Sequence, residues 1–227
     1  MILLTGGLGY IGSHTAVELL NQGKEIIIVD DLSNSKIETI DKIKKITGKD
    51  FKFIKADLKD YSATEKIFKE NSISAIVHFA GVYMLDSLVE MSEERFTRAF
   101  NVNLFGVYRV NKAFLPLLKQ GSRIIITSSE LAPLDPLPFT GIYAITKTAI
   151  EKYAYSLRME VQLLGIKVSV IRPGAVKTGL LKSSTDELDN FVENTNIYKC
   201  NASRFKRIVE SVEAKNVSPE KVAKKVF

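Results

Sequence analysis

The sequence predicts an α/β fold in which helices cover both faces of a parallel sheet. Short apolar, β-branched runs have the composition of buried strands, and longer segments with helical spacing separate them. This alternation favours parallel strands joined by crossover helices. The predicted strands are Ile2–Leu4, Glu25–Val29, Phe51–Ile54, Ala75–Phe79, Arg123–Thr127 and Lys167–Ile171.

Helical spacing is clearest at Thr15–Leu20 and Ala144–Val161. The chain of 227 residues can bury a full core, and no internal repeat or linker marks a second domain. We therefore expect residues 1–227 to form one domain. Late in the chain, polar clusters (KSST, ENTN) around two short predicted helices interrupt the alternation of strands and helices. Residues 180–217 are therefore expected to form a substrate flap.

Composition argues against several classes of function. The chain is 45% hydrophobic and 26% charged, the balance of a globular protein, and no apolar run is long enough to span a membrane. Its net charge of +6 would attract polyanions, but basic and acidic residues are interspersed, so no nucleic-acid partner is expected. Two histidines and one cysteine cannot assemble a metal site. The unpaired Cys200 and the absence of an export segment predict a cytoplasmic protein.

A glycine-rich segment, TGGLGYIGSH, follows the first predicted strand. Gly7, Gly9 and Gly12 satisfy the G-x-G-x-x-G pattern, and Gly6, Gly9 and Gly12 satisfy a G-x-x-G-x-x-G variant. Missing side chains would let a pyrophosphate approach the free N–H groups at the start of the next helix. An ordinary tight turn is the alternative interpretation of the glycines alone.

Two aspartates end the second predicted strand. Asp30 lies at about the spacing expected for the carboxylate that binds the adenosine ribose of a dinucleotide. Asp31 beside it would repel a 2′-phosphate, which favours NAD over NADP. A solvated aspartate at a strand end is the alternative.

An acid-base pair is predicted in the segment YAITK. Tyr143 and Lys147 are four residues apart, which places them on one face of a helix. A nearby cation favours the phenolate form of a tyrosine, so Tyr143 could exchange a proton with an alcohol or a carbonyl. Ser129, at the end of RIIITSS, could orient the same oxygen, although Ser128 and Ser129 could instead form a turn.

The first third of the chain resembles the short-chain dehydrogenase/reductase superfamily. TGGLGYIGSHTAVELL, IVDDLSNS, the Ala56–Asp57 pair and HFAG at His78–Gly81 are similar to the cofactor half of the extended branch, which includes the UDP-galactose 4-epimerases. This resemblance implies a Rossmann-like, doubly wound sheet in the order 3-2-1-4-5-6. It also implies an NAD site, with Asp57 and Leu58 at the adenine, lined by Tyr10, Ile11, Asp30, Asn34, Ser35, Asp57, Leu58, Phe79, Ala80 and Gly81.

The remainder resembles the classical branch of the same superfamily. The separation of Ser129 from Tyr143 is short, as in that branch, but one residue longer than its commonest value, which leaves the choice between Ser128 and Ser129 open. The resemblance implies that Asn103, in NVNLFG, completes a catalytic set with Ser129, Tyr143 and Lys147. Asn101 is a competing candidate, and either asparagine could simply cap or interrupt a helix.

The segment IRPGAVKTGL matches the P-G-x-x-x-T loop of the classical branch. The resemblance implies that this loop holds the nicotinamide through Pro173, Gly174, Val176 and Thr178, and that Tyr143 and Lys147 also contact the cofactor. Because the chain stops at Phe227, we expect the seventh strand to be missing. Extended members also carry a C-terminal domain that binds a nucleotide sugar, and we expect it to be absent.

The combined features favour an NAD-dependent oxidoreductase that interconverts a secondary alcohol and a ketone. A nucleotide-sugar 4-epimerase and a non-catalytic NAD-binding protein are the alternatives. Apolar residues near the expected site, including Tyr83 and Leu134, favour an apolar substrate, although they could equally pack the flap. Helices at 103–118 and 143–164 carry apolar residues on more than one face, as expected either for a homo-oligomer contact or for core packing.

Overall fold

A parallel sheet of six strands forms the centre of the computed structural model, which describes residues 1–174, 176, 179–213 and 217–226, with the backbone alone at 179–186, 210, 212 and 213. The strands are β1 (Ile2–Thr5), β2 (Ile26–Asp30), β3 (Lys52–Lys55), β4 (Ala75–His78), β5 (Arg123–Thr127) and β6 (Lys167–Ile171). Their order, β3-β2-β1-β4-β5-β6, confirms the prediction. A single parallel bridge also joins Val176 to Val217.

Helices alternate with the strands and continue after β6. They are α1 (Tyr10–Asn21), α2 (Thr39–Thr47), α3 (Tyr61–Glu70), α4 (Glu93–Phe100), α5 (Gly106–Phe114), α6 (Gly141–Val161), α7 (Gly179–Asn194), α8 (Lys199–Glu213) and α9 (Pro219–Val226). A π-helical segment, Asn101–Phe105, joins α4 to α5. The two helices expected to be short in the flap, α7 and α8, are 16 and 15 residues long.

The side chains of the central strands alternate between two apolar layers. Leu3 and Ile76 pack on one side with residues of α3, α5 and α6. Leu4 and Val77 pack on the other side with residues of α1, α2 and α9. The sheet is therefore buried on both faces, which is why its strands appear in the sequence as continuous apolar runs rather than as alternating patterns.

The helices expected to mediate an oligomer contact have side chains in the core and on the surface. Val110 of α5 and Ile150 of α6 are fully buried against the sheet. The same two segments also expose large apolar side chains, namely Phe105, Tyr108, Ile145, Tyr155 and Met159. The buried side chains suit core packing and the exposed ones suit an oligomer contact. A contact with a second copy of the chain therefore stays a prediction.

The helix pair α7 and α8 rests on a separate apolar cluster. Its buried members are Leu85, Leu188, Phe205 and Val209, with Tyr83 and Phe139 packed at its edge. This cluster joins the expected flap to the loop that follows β4 and to the loop that precedes α6.

Polar contacts strengthen the same attachment. Arg95 of α4 pairs with Asp86 at 2.8 Å and with Glu187 of α7 at 2.7 Å. Glu90 accepts hydrogen bonds from the Thr195 hydroxyl at 2.6 Å and from two backbone N–H groups of the turn between α7 and α8, at 2.8 and 3.0 Å. The segment between β4 and α5 therefore holds the helix pair at two places.

A buried histidine links three elements of the core. His78 Nδ1 lies 3.5 Å from the Thr5 hydroxyl, and Nε2 lies 3.0 Å from Oδ1 of Asn111. Because an amide oxygen can only accept, Nε2 carries the ring proton. Asn111 in turn donates to the Tyr153 hydroxyl at 3.2 Å. Burial lowers the pKa of His78 to about 4, and the Asn111 bond offsets only part of this effect.

We expect His78 to make the fold sensitive to mild acid. Its pKa of about 4 in the folded chain lies below the ordinary value of about 6.5 in an unfolded chain. The stability that its neutral form contributes is therefore complete above pH 6.5 and is lost as the pH falls towards 4. From pH 7 to pH 5 this corresponds to a decrease of about 2 kcal/mol in the free energy of unfolding.

Urea unfolding of the wild type and of His78→Gln at the two pH values measures this effect. The variant should lose less stability on acidification than the wild type does. His14→Gln, which removes a partly exposed histidine, is the matched control and should behave as the wild type. An equal pH dependence in all three proteins would contradict the prediction.

Candidate active site

The glycine loop is fitted against the end of β4. Gly6 has a φ of 65°, and a Cβ there would lie 2.6 Å from the backbone nitrogen of Ala80. A Cβ at Gly12 would lie 2.7 Å from the carbonyl oxygen of Gly6. These two positions therefore require glycine, and the loop is more closely constrained than an ordinary tight turn.

The start of α1 has the features of an anion cradle. Gly9 is its N-terminal capping residue, and no side chain caps the helix there. A Cβ at Gly9 would meet only the Gly6 carbonyl oxygen, at 3.1 Å, so the space beyond it is open. Unsatisfied N–H groups and an open approach at a helix N-terminus suit a phosphate group.

Asp30 joins the glycine loop to the loop after β2. Its Oδ2 accepts a hydrogen bond from the Leu8 backbone at 3.0 Å, and its Oδ1 accepts from the Leu32 backbone at 3.0 Å and from the Ser35 hydroxyl at 2.7 Å. Only 7% of the residue is exposed, so the alternative of a solvated aspartate is wrong. Asp31 is exposed and accepts from the backbone and hydroxyl of Ser33.

The other predicted cofactor residues lie at the same edge of the sheet. Parallel strands present their carboxyl ends together, and each of these residues follows a strand. Thr178 lies outside the described residues, and at position 176 the structure shows a buried valine. The remaining members are Tyr10 and Ile11 after β1, Asn34 after β2, Asp57 and Leu58 after β3, Phe79, Ala80 and Gly81 after β4, and Pro173 and Gly174 after β6.

The serine, tyrosine and lysine meet between β5 and α6. The Ser129 hydroxyl lies near enough to the Tyr143 phenol to lower its pKa. Lys147 Nζ lies 5.6 Å from the centre of the Tyr143 ring and donates to the Thr127 carbonyl oxygen at 3.2 Å. Ser128 donates instead to the Lys147 carbonyl oxygen at 3.3 Å. The spacing in the sequence could not decide which serine lies beside Tyr143. In the structure it is Ser129.

Burial determines how the tyrosine and the lysine titrate. It raises the pKa of Tyr143 to about 12, and the Ser129 hydroxyl lowers that pKa only in part. It also lowers the pKa of Lys147 to about 8. In the protein alone, the effect of desolvation on the phenol therefore exceeds the stabilisation of the phenolate that the neighbouring lysine was expected to provide.

Asn101 caps the end of α4, and Asn103 lies in the π-helical segment that interrupts the helical run between α4 and α5. Its Oδ1 accepts from the Val82 backbone at 2.8 Å, while its Nδ2 donates to the Val82 carbonyl oxygen and to the Thr146 hydroxyl, both at 3.0 Å. A Cβ at Gly81 would lie 3.4 Å from Asn103 Oδ1 and 3.7 Å from Lys147 Nζ. Asn103 therefore lies close to the lysine amine, and its two hydrogen bonds hold Val82 in place.

Tyr83 packs beside Tyr143, and Phe139 belongs to the same apolar cluster as Tyr83. The Tyr83 ring meets the Tyr143 ring edge-on, with 4.8 Å between their centres. Phe139 has a φ of 63°, which is rare for a bulky side chain, and its carbonyl oxygen accepts from the Asp86 backbone at 2.9 Å. The rings of Phe191, Tyr198 and Phe205 surround it, with centres 4.3, 4.9 and 5.0 Å away. No sequence pattern predicted this use of Phe139.

Two further features bear on the expected function. Within the described residues, no group of three or more His, Cys, Asp or Glu side chains is arranged to hold a metal ion. Among the same residues, no helix is both long enough and apolar enough to cross a membrane.

Sequence comparison finds one family and one group of named relatives. A family model described as short chain dehydrogenase matches residues 1–189. The UDP-glucose 4-epimerase of Bacillus subtilis is 41% identical over 162 residues, an alignment that covers 66% of this chain and 46% of that protein. The corresponding protein of Haemophilus influenzae is 43% identical over 112 residues, with 49% and 33% covered. This chain thus spans less than half the length of these relatives.

Structural comparison matches nearly the whole chain to dehydrogenases. A short chain dehydrogenase family protein from Francisella tularensis has a TM-score of 0.77 at 24% identity, and the match covers 99% of this chain and 88% of that chain. A dehydrogenase/reductase from Sinorhizobium meliloti has a TM-score of 0.77 at 20% identity, covering 99% and 85%. At these identities the match shows the fold alone.

An epimerase structure matches over a shorter part of the chain. The UDP-glucose-4-epimerase from Stenotrophomonas maltophila, solved with bound NAD and formylated UDP-arabinopyranose, has a TM-score of 0.62 at 28% identity. That match covers 75% of this chain and 52% of the epimerase. The match to this epimerase is thus shorter than the matches to the two dehydrogenases.

We expect Gly6→Ala and Gly9→Ala to differ sharply in stability. The methyl group at position 6 would overlap the Ala80 backbone and impose a disfavoured φ, which should cost at least about 2 kcal/mol. At position 9 the backbone is already extended and the methyl group would meet only the Gly6 carbonyl oxygen, at 3.1 Å, so the change should cost less, about 1 kcal/mol. Urea unfolding of both variants measures the difference. Equal destabilisation would mean that the loop is not packed against β4 as described.

Proposed function

This chain belongs to the short-chain dehydrogenase family, and from that premise we propose that it is an NAD-dependent oxidoreductase that interconverts a secondary alcohol and a ketone. The observation that carries the proposal is the meeting of Ser129, Tyr143 and Lys147 between β5 and α6. The Ser129 hydroxyl beside the Tyr143 phenol and the nearby lysine amine put an acid-base group, an orienting hydroxyl and a cation in one place.

The edge of the sheet beside this group suits NAD. The uncapped start of α1 and the open space at Gly9 would receive the pyrophosphate. Asp30 already accepts three hydrogen bonds, but a carboxylate has about four acceptor sites, so it retains capacity for a ribose hydroxyl. Asp31 adds negative charge that disfavours a 2′-phosphate. When bound, NAD supplies the site that accepts or releases the hydride.

We assign the proton transfer to Tyr143. With a pKa of about 12, its phenol is protonated at neutral pH and can protonate a ketone oxygen. Oxidation of an alcohol requires the phenol to lose that proton, and a positive charge nearby lowers the cost. Lys147, with a pKa of about 8, is mostly charged at pH 7, and Ser129 can orient the substrate oxygen beside the phenol.

Asn103 and Thr127 position the lysine. The Thr127 carbonyl oxygen accepts from Lys147 Nζ, which directs the amine towards the end of β5. Asn103 fixes Val82 through a pair of hydrogen bonds, and the preceding Gly81 lies beside the amine. We propose that Asn103 acts on the reaction through this arrangement and does not itself exchange a proton with the substrate.

A nucleotide-sugar 4-epimerase is the second candidate. Its support is the identity of 40% or more with curated relatives that carry the name UDP-glucose 4-epimerase. Support for the dehydrogenase comes from the short Ser129–Tyr143 separation and from the Pro173–Gly174 turn after β6. The two candidates share the proposed chemistry at Tyr143 and differ in the substrate.

We expect Ser129→Ala and Tyr143→Phe to remove most of the turnover, while Ser128→Ala retains it. Loss of the orienting hydroxyl should lower kcat/KM for alcohol oxidation by about 100-fold or more, and loss of the phenol should reduce it further. Ser128 faces the α6 backbone, so its variant serves as the matched control. Formation of NADH with a panel of secondary alcohols is the measurement. Turnover by Tyr143→Phe comparable to that of the wild type would contradict the mechanism.

We expect the nucleotide-free protein to bind NAD more tightly than NADP and to bind UDP weakly or not at all. Calorimetric titration with the three ligands under one set of conditions tests this. Gly9→Ala should fold but lose at least about tenfold in NAD affinity, because its methyl group would occupy the proposed anion cradle. UDP binding as tight as NAD binding would favour the epimerase, and equal binding of NADP would contradict the role of the two aspartates.

A further inference from the structure

The residue that follows Ser129 brings a carboxylate to the same edge of the sheet. The Glu130 backbone N–H donates to the Pro173 carbonyl oxygen at 3.1 Å, which joins the ends of β5 and β6. Its side chain lies over the next residue, Gly174. A Cβ at Gly174 would be 2.5 Å from Glu130 Oε2 and 3.0 Å from Oε1. The absence of a side chain at Gly174 thus makes room for this carboxylate.

Glu130 is exposed, and within the described part of the chain its carboxylate makes no hydrogen bond or ion pair. Neighbouring carboxylates are used differently. Glu151 pairs with both ends of the Arg172 guanidinium at 2.6 and 2.7 Å, and Asp86 pairs with Arg95. Among the described residues, nothing therefore occupies the acceptor sites of the Glu130 carboxylate, which follows Ser129 directly.

The chemistry of a carboxylate restricts what that ligand can be. An ionised carboxylate only accepts hydrogen bonds, and it binds a charged or hydroxyl donor more strongly than a neutral amide would. It repels phosphates and carboxylates at short range. An entirely apolar substrate would leave the carboxylate desolvated without a partner, which is unfavourable.

We propose that Glu130 is a specificity residue that selects alcohols with a second hydrogen-bond donor, a hydroxyl or an ammonium group, close to the carbon that is oxidised. This inference rests on the proposed function, because it assumes that the substrate oxygen lies between Ser129 and Tyr143. It replaces the expectation of a wholly apolar substrate. The Tyr83 ring beside Tyr143 accommodates the carbon frame, and Glu130 receives the second polar group.

Matched series of alcohols test the inference. One series is 2-butanol, 2,3-butanediol and 3-amino-2-butanol, and a second is cyclohexanol with its 1,2-diol and 2-amino analogues. The readout is the ratio of kcat/KM for each donor-bearing alcohol to that of its parent alcohol, with NAD as cofactor. The wild type should favour at least one donor-bearing class by about tenfold or more, a difference typical of a charge-assisted hydrogen bond.

Glu130→Gln should reduce that ratio by about tenfold for the amino alcohol and by less for the diol, because the amide oxygen still accepts from a hydroxyl. Glu130→Asp keeps the charge and should recover part of the ratio. Glu160→Gln makes the same chemical change at an exposed position near the far end of α6 and should keep the wild-type ratio.

The results distinguish a failure of the Glu130 hypothesis from a failure of the proposed oxidoreductase activity. If the wild type oxidises alcohols but Glu130→Gln leaves every ratio unchanged, the inference is overturned and the proposed function stands. If the wild type forms no NADH with any alcohol of either series, the proposed function fails, and the inference fails with it. A loss confined to the amino alcohols identifies the second group as an ammonium, and a loss in both classes identifies a general donor.

Discussion

The buried amine of Lys147 is the constraint on which the site depends. Burial of a charged group is costly unless polar neighbours compensate, and this residue is only 6% exposed. The Thr127 carbonyl oxygen at the end of β5 accepts one hydrogen bond from the amine, and Gly81 after β4 lies beside it. Asn103 fixes the next residue, Val82, by two hydrogen bonds. The ends of two strands, the π-helical segment and α6 are thus joined around one amine.

Most of the fold could be predicted from the sequence because the sheet is buried on both faces. Each strand is a short apolar run, and the predicted bounds differ from the observed ones by no more than one residue at either end. The region after β6 was harder to predict, since its helices bury only a narrow stripe. Leu188 and Phe205 belong to that stripe, but polar residues surround them in the sequence, so α7 and α8 were expected to be shorter.

The candidate site was predictable as a set of residues but not as a geometry. Spacing identified Tyr143 and Lys147, yet it could not separate Ser128 from Ser129, because both follow β5 directly and both contact α6, the first at its backbone and the second at Tyr143. The pKa of the phenol was expected to fall, whereas burial raises it to about 12. Burial depends on contacts between distant segments, and neither these nor the left-handed backbone of Phe139 leave a local pattern in the sequence.

The glycine loop and the aromatic cluster around Phe139 are held together by different interactions. The loop depends on backbone contacts that leave no room for a Cβ at Gly6 and Gly12, so the residue type at these positions has little freedom. The cluster depends on aromatic packing around Phe139 and on two polar contacts with the helix pair α7 and α8. Other residues could provide both kinds of contact. A chain can therefore keep the backbone contacts of the loop while the residues of the aromatic cluster change.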